Sequence, residues 1–128
     1  MTSPAFVAFI SVGVGAALGA WLRWGLSEWL ASRSHIPFGT LAANLIGGFL
    51  VGIAVAAFTD RADIAPMWRL FVITGFLGGL TTFSTFSAES VALLMRGDLG
   101  WAFAHAAAHL FGSLALTALG IATYRALA

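Results

Sequence analysis

Gly78-Gly79-Leu80-Thr81-Thr82-Phe83-Ser84-Thr85-Phe86 is a small, hydroxyl-rich and aromatic run between two apolar stretches, each too short to cross a bilayer alone. Paired glycines weaken a helix, and the β-branched threonines after them weaken it further. The run therefore reads as the break in a membrane helix. Irregular backbone is tolerated at membrane depth only beside a cavity or deep within protein. The expectation is that this stretch lines or anchors an ion pathway.

The rest of the chain supports a membrane setting. Of its 128 residues, 60% are hydrophobic and only 9% are charged, against roughly 25% charged in soluble domains. A bilayer core takes about 20 apolar residues per helix. Four helices fit within one domain over residues 1–128, expected at about 6–30, 40–58, 67–94 with the break near 78–82, and 101–124. The first stretch lacks a basic leader and its apolar pattern resumes beyond Trp21, so it reads as a span rather than a signal peptide. Four helices enclose little space, so a pathway calls for an oligomer, which the abundance of Gly and Ala favours by letting backbones approach closely.

Several functions are excluded. The net charge is +1 and the charges are scattered, so nucleic acid is not an expected partner. Absence of Cys removes disulfides and thiolate chemistry. Neither a Ser-His-Asp arrangement nor a phosphate-binding glycine loop after a strand is present, so the chain does not read as an enzyme.

In the first helix, Gly15 and Gly19 form a GxxxG pair, and Trp21-Leu22-Arg23-Trp24 lies near the end. Arg23 either snorkels to headgroups or draws anions to a vestibule. A loop from Ala31 to Pro37 holds Arg33 and His35. Thr40, Asn44 and Gly48 are spaced by four and share a face of the second helix. Asn44 is either an interhelical clamp or an amide donor offered to an anion. Asp60 to Asp63 is a polar turn and Pro66 suits the start of the third helix.

Phe83 and Phe86 project from one side of the second half of the third helix. They are either core packing or ring edges, whose partial positive charge can face an anion. Ser84, Thr85 and Glu89 form a further strip, which Thr40 could extend into a polar track. Glu89 is the one carboxylate well inside an expected span, and so a candidate by position. It could instead bind local hydroxyls or pair with Arg96. His105 and His109, at i and i+4 on the fourth helix, fit either a two-histidine metal site or packed polar residues beside a cavity.

With four crossings, one side carries Arg61, Arg69 and Arg125 and the other Arg23, Arg33 and Arg96. Lys is absent, so the six basic residues divide three against three and the positive-inside rule favours neither orientation. The chain can insert both ways, and two inverted copies can close a twofold dimer.

Gly75 to Glu89, read with Gly15, Gly19 and Arg23, with Gly39-Thr40, and with Asn44 and Gly47-Gly48, closely resembles the Fluc family of fluoride channels, also called CrcB proteins. The likeness covers the whole chain. It implies an all-α membrane protein: an antiparallel, dual-topology homodimer with two fluoride pores, in the bacterial inner membrane, passively releasing cytoplasmic fluoride. It also implies a structural sodium ion at the dimer centre, held by backbone carbonyls of Gly78 and Thr81 from both subunits. Phe83 and Phe86 would line the fluoride path with Asn44 nearby, and Arg23 would stand at the vestibule. Thr40, Ser84, Thr85 and Glu89 would match the polar track. Ser113 fits the pattern, whereas His105 and His109 stand where some relatives have Tyr and Ser. His105 is therefore a candidate for the anion path whose role the resemblance leaves open.

A rival from another class is a small dual-topology multidrug-type, proton-coupled transporter. Such proteins need an acidic residue deep in the first helix, and here that helix has only Glu28 near its end. A structural subunit of a larger membrane complex is a third reading, but it would have no use for a polar track.

Overall fold

The computed structural model describes residues 3–31, 33 and 37–128; the reading of His35 lies outside them. Helix α1 (Pro4–Ala31) is followed by α2 (Phe38–Asp60). The third apolar segment, Pro66–Met95, is composite. It opens with α3 (Pro66–Arg69), continues as a π-helix over Leu70–Leu77 and returns to one α-turn, α4 (Gly78–Leu80). It resumes as α5 (Ser84–Met95). Helix α6 (Leu99–Leu127) ends the chain. Among the described residues, four helical segments are thus long and apolar enough to span a membrane.

Local chemistry sets the ends. Pro66 occupies the first helical position, where its missing N–H costs nothing. Arg69 donates from Nη2 to the Phe58 carbonyl at 2.8 Å, covering an orphan group near the end of α2. Gly97 closes α5 with φ +80. The Asp98 N–H bonds the Leu93 carbonyl and the Gly97 N–H bonds that of Leu94. This is a Schellman stop, which requires the left-handed backbone that glycine adopts without strain.

Two close helix contacts organise the bundle. Helix α1 packs on the π-helix and α4, and α2 packs on α6. A Cβ added at Gly19 would run into the Phe76 carbonyl and the Leu80 amide, and one at Gly52 into the Thr117 carbonyl. Backbone therefore meets backbone at both seams, the small-residue mode by which membrane helices associate where no hydrophobic effect drives them together. Between the seams lie Ala43, Ala54, Leu77 and Leu80, with Leu80 fully buried.

Two details depart from the sequence reading. Gly78 and Gly79 remain helical, with Gly78 at φ -63 and ψ -36. Helical backbone is lost two residues after Gly79, where Thr81 turns extended at φ -89 and ψ 154. The glycines serve packing: a Cβ at Gly79 would strike the backbone of Ala16. The π-helix was not expected at all. The hydropathy of Leu70–Leu77 carries no sign of it, because an i→i+5 pattern changes hydrogen-bond register without changing which residues are apolar.

Candidate functional site

The turn between α4 and α5 gathers the polar chemistry. Asn44, on α2, accepts the Thr82 N–H at Oδ1 (2.8 Å) and donates from Nδ2 to the Thr82 carbonyl (3.0 Å). The same Nδ2 lies 3.0 Å from His109 Nδ1 on α6. Of the two readings of Asn44, the clamp is the one the geometry displays: one amide satisfies both backbone groups of Thr82 and ties three elements together. The Thr82 hydroxyl accepts the Thr85 N–H at 3.2 Å, in the first turn of α5, and lies 3.2 Å from the Ser84 hydroxyl and 3.3 Å from that of Thr85. Thr82 is the residue the sequence reading missed. The available signal was Asn44 itself, since an amide in an apolar helix must find both a donor and an acceptor.

These bonds divert the amides that a continuous helix would use. The Thr82 N–H goes to Asn44 rather than to Gly78, and the Thr85 N–H goes to Thr82 Oγ1 rather than to the Thr81 carbonyl. Gly78 and Thr81 thus carry carbonyl oxygens released from their i+4 donors, and both residues border an open groove. Such neutral oxygens suit a hard monovalent cation. The neighbouring Gly79 carbonyl accepts from Arg23 Nε at 3.1 Å. Arg23, half-buried, thus places its charge at the C-terminal end of α4, where the backbone dipole is negative.

The groove has a volume of about 440 Å³. It brings together Asn44, Phe83, Phe86, Ser113, Gly78 and Thr81 of the expected site residues, and adds Thr82 and His109. Phe83 is 78% exposed, and its ring centroid is 5.5 Å from that of Phe86. Arg23 does not border the groove, and neither do Thr40, Ser84, Thr85, Glu89 and His105.

Beside Phe86 lies a second polar group. The buried Thr40 donates its hydroxyl to Glu89 Oε1 at 2.6 Å, and Glu89 Oε2 is 3.4 Å from His105 Nε2. Glu89 therefore binds a hydroxyl rather than Arg96, whose Nε is 3.4 Å from Asp98. Phe86 stacks on His105 (5.4 Å, 20°) and packs on His109 (4.6 Å). Glu89, His105 and His109 each bring one potential ligand atom within 4.8 Å of the others. Glu89 Oε2, His105 Nε2 and His109 Nε2 are buried without a hydrogen-bond partner in the chain.

Among the described residues, four helical segments long and apolar enough to span a membrane define a multi-pass helical membrane protein. Residues 10–121 match the family model described as CrcB-like protein, Camphor Resistance (CrcB), and the chain belongs to that family. It is similar to a protein of Cupriavidus taiwanensis named fluoride-specific ion channel FluC, with 64% identity over 94% of this chain and 96% of that one. Proteins of the same name from Ralstonia nicotianae and Burkholderia pseudomallei are each 58% identical. The alignments cover 93% and 94% of this chain, respectively, and 95% of each relative.

Proposed function

We propose that this protein is a fluoride-selective channel that lets fluoride leave the cytoplasm passively, working as an antiparallel homodimer of dual topology in the bacterial inner membrane. The observation that carries the reading is the groove where the rings of Phe83 and Phe86 stand beside Asn44, Thr82 and Ser113. Fluoride is small and strongly hydrated, so its path must replace water with closely spaced donors and positive ring edges rather than a fixed countercharge. The names of relatives at 58% to 64% identity support the same substrate.

The open groove supports the dimer. Backbone around Thr81 and Thr82 facing lipid would be costly, and a second copy laid across it supplies cover. Three arginines on each side favour an inverted copy. In that arrangement the break in the third span falls near mid-membrane. The released carbonyls of Gly78 and Thr81 from the two subunits would then hold a structural sodium ion, which would bind the copies together. Thr40, Ser84, Thr85, Glu89 and His105 form the polar side of the path, and Arg23 lies towards its mouth.

Efflux from liposomes containing the purified protein, followed with a fluoride electrode, tests the reading. Fluoride should leave rapidly and chloride should not. Equal passage of the two halides would refute it, and cross-linking that shows only parallel protomers would refute the dimer.

A further inference from the structure

The channel reading leaves His109 without a task, and the hydrogen bonds around it assign one; the inference rests on that reading. Asn44 Oδ1 accepts a backbone N–H from Thr82 at 2.8 Å, which the amide nitrogen could not do. The orientation of the Asn44 amide is therefore fixed by chemistry. Its Nδ2 has two protons: one goes to the Thr82 carbonyl at 3.0 Å, and the other meets His109 Nδ1 at 3.0 Å. A ring nitrogen facing an N–H must offer its lone pair, so neutral His109 carries its proton on Nε2.

That Nε2–H is buried and has no partner in the chain, and His109 as a whole is 5% exposed. By distance alone, Glu89, His105 and His109 have the look of a two-histidine, one-carboxylate metal site. The tautomer argues against it, because a protonated Nε2 has no lone pair to give a cation. A desolvated N–H is what a small anion needs. Thr40 donates to Glu89 Oε1, and His105 Nε2 lies 3.4 Å from Oε2. The Thr40 hydroxyl tempers the carboxylate that would otherwise repel the anion.

We infer that His109 Nε2–H is a hydrogen-bond donor to fluoride where Phe86 and His105 now pack against it near Glu89, and that Asn44 is the positioning residue that sets its tautomer. His109 and Phe86 border the groove, whereas Glu89 and His105 do not. The anion therefore arrives from the Phe86 side and reaches Nε2 by displacing that ring.

Imidazole nitrogen NMR on the purified, histidine-labelled protein tests this, with the His109 signals assigned by their loss in His109→Gln. The expected result is protonation at Nε2 and not at Nδ1, with an Nε2–H signal that shifts on adding sodium fluoride but not sodium chloride. A proton on Nδ1, or an Nε2–H indifferent to fluoride, overturns the inference. In Asn44→Asp, which offers His109 only acceptors, the proton should move to Nδ1; an unmoved proton removes Asn44 from its positioning role. In liposomes, His109→Ala should lower fluoride efflux about tenfold, the loss of one bond to a charged group. His109→Gln, which keeps an N–H, should recover part of it. Efflux from His109→Ala equal to wild type overturns the proposal, as does zinc inhibition of wild type that disappears in His109→Ala. Fluoride efflux combined with the wrong tautomer sinks this inference alone, whereas wild-type protein that passes no fluoride sinks the channel reading with it.

Discussion

Asn44 and Thr82, 38 residues apart, are joined by two hydrogen bonds in which one side-chain amide takes the place of a backbone strand partner. A residue outside the helices exposes both of its backbone groups, and leaving either unpaired away from water costs about 1–3 kcal/mol. Asn44→Leu, close in volume but unable to bond, should therefore lower stability by about 2 kcal/mol or more. Thermal unfolding in detergent is the check, and an unchanged midpoint would show that Thr82 finds other partners.

The seam between α1 and the third span gives a matched pair of glycine substitutions. A methyl at Gly19 would meet the Phe76 carbonyl and the Leu80 amide, whereas one at Gly13 meets nothing within 4 Å. Gly13→Ala should be neutral or stabilise by up to about 1 kcal/mol through helix propensity. Gly19→Ala should reduce the folded yield or the melting temperature sharply. Similar behaviour of the two variants would mean that the seam does not depend on close backbone approach.

Thr40 and Glu89 meet through a 2.6 Å hydrogen bond between α2 and α5. Bonds to charged groups contribute about 1.5–3 kcal/mol. A double-mutant cycle with Thr40→Val and Glu89→Gln should thus show coupling of about 1 kcal/mol or more in unfolding free energy. Strict additivity would indicate that Glu89 and Thr40 each find other partners.

Phe83 separates transport from folding. At 78% exposure within one chain, its ring contributes little to the protomer's own packing. Phe83→Ile is expected to keep the melting temperature of the protomer while fluoride efflux falls at least tenfold. Retained flux in a stable variant would remove the ring edge from the conduction path.

The sequence by itself determined the class. Runs of apolar residues punctuated by Pro37, Pro66 and Gly97-Asp98 defined four spans, because the bilayer sets their length and composition and needs no tertiary information to do so. The glycines at 15 and 19 were legible as contacts for a similar reason, since small residues are the ones that let helices approach closely, whereas the packing role of Gly79 against Ala16 was not. Asn44 could be recognised as a residue in need of partners, but not which partners.

Tertiary structure decided the rest. Whether Asn44 clamps or stands free depends on Thr82 leaving the helix beside it, after Thr81 turns extended, and Thr82 leaves where Asn44 can capture its N–H; neither residue's sequence context contains the other. The meeting of Glu89, His105 and His109 depends on how α5 and α6 are rotated against each other and against α2. A helix pattern fixes which residues share a face of one helix, and only packing fixes which faces meet. The tautomer of His109 lies further still from the sequence, because it is set by a proton whose place depends on three hydrogen bonds contributed from three different elements.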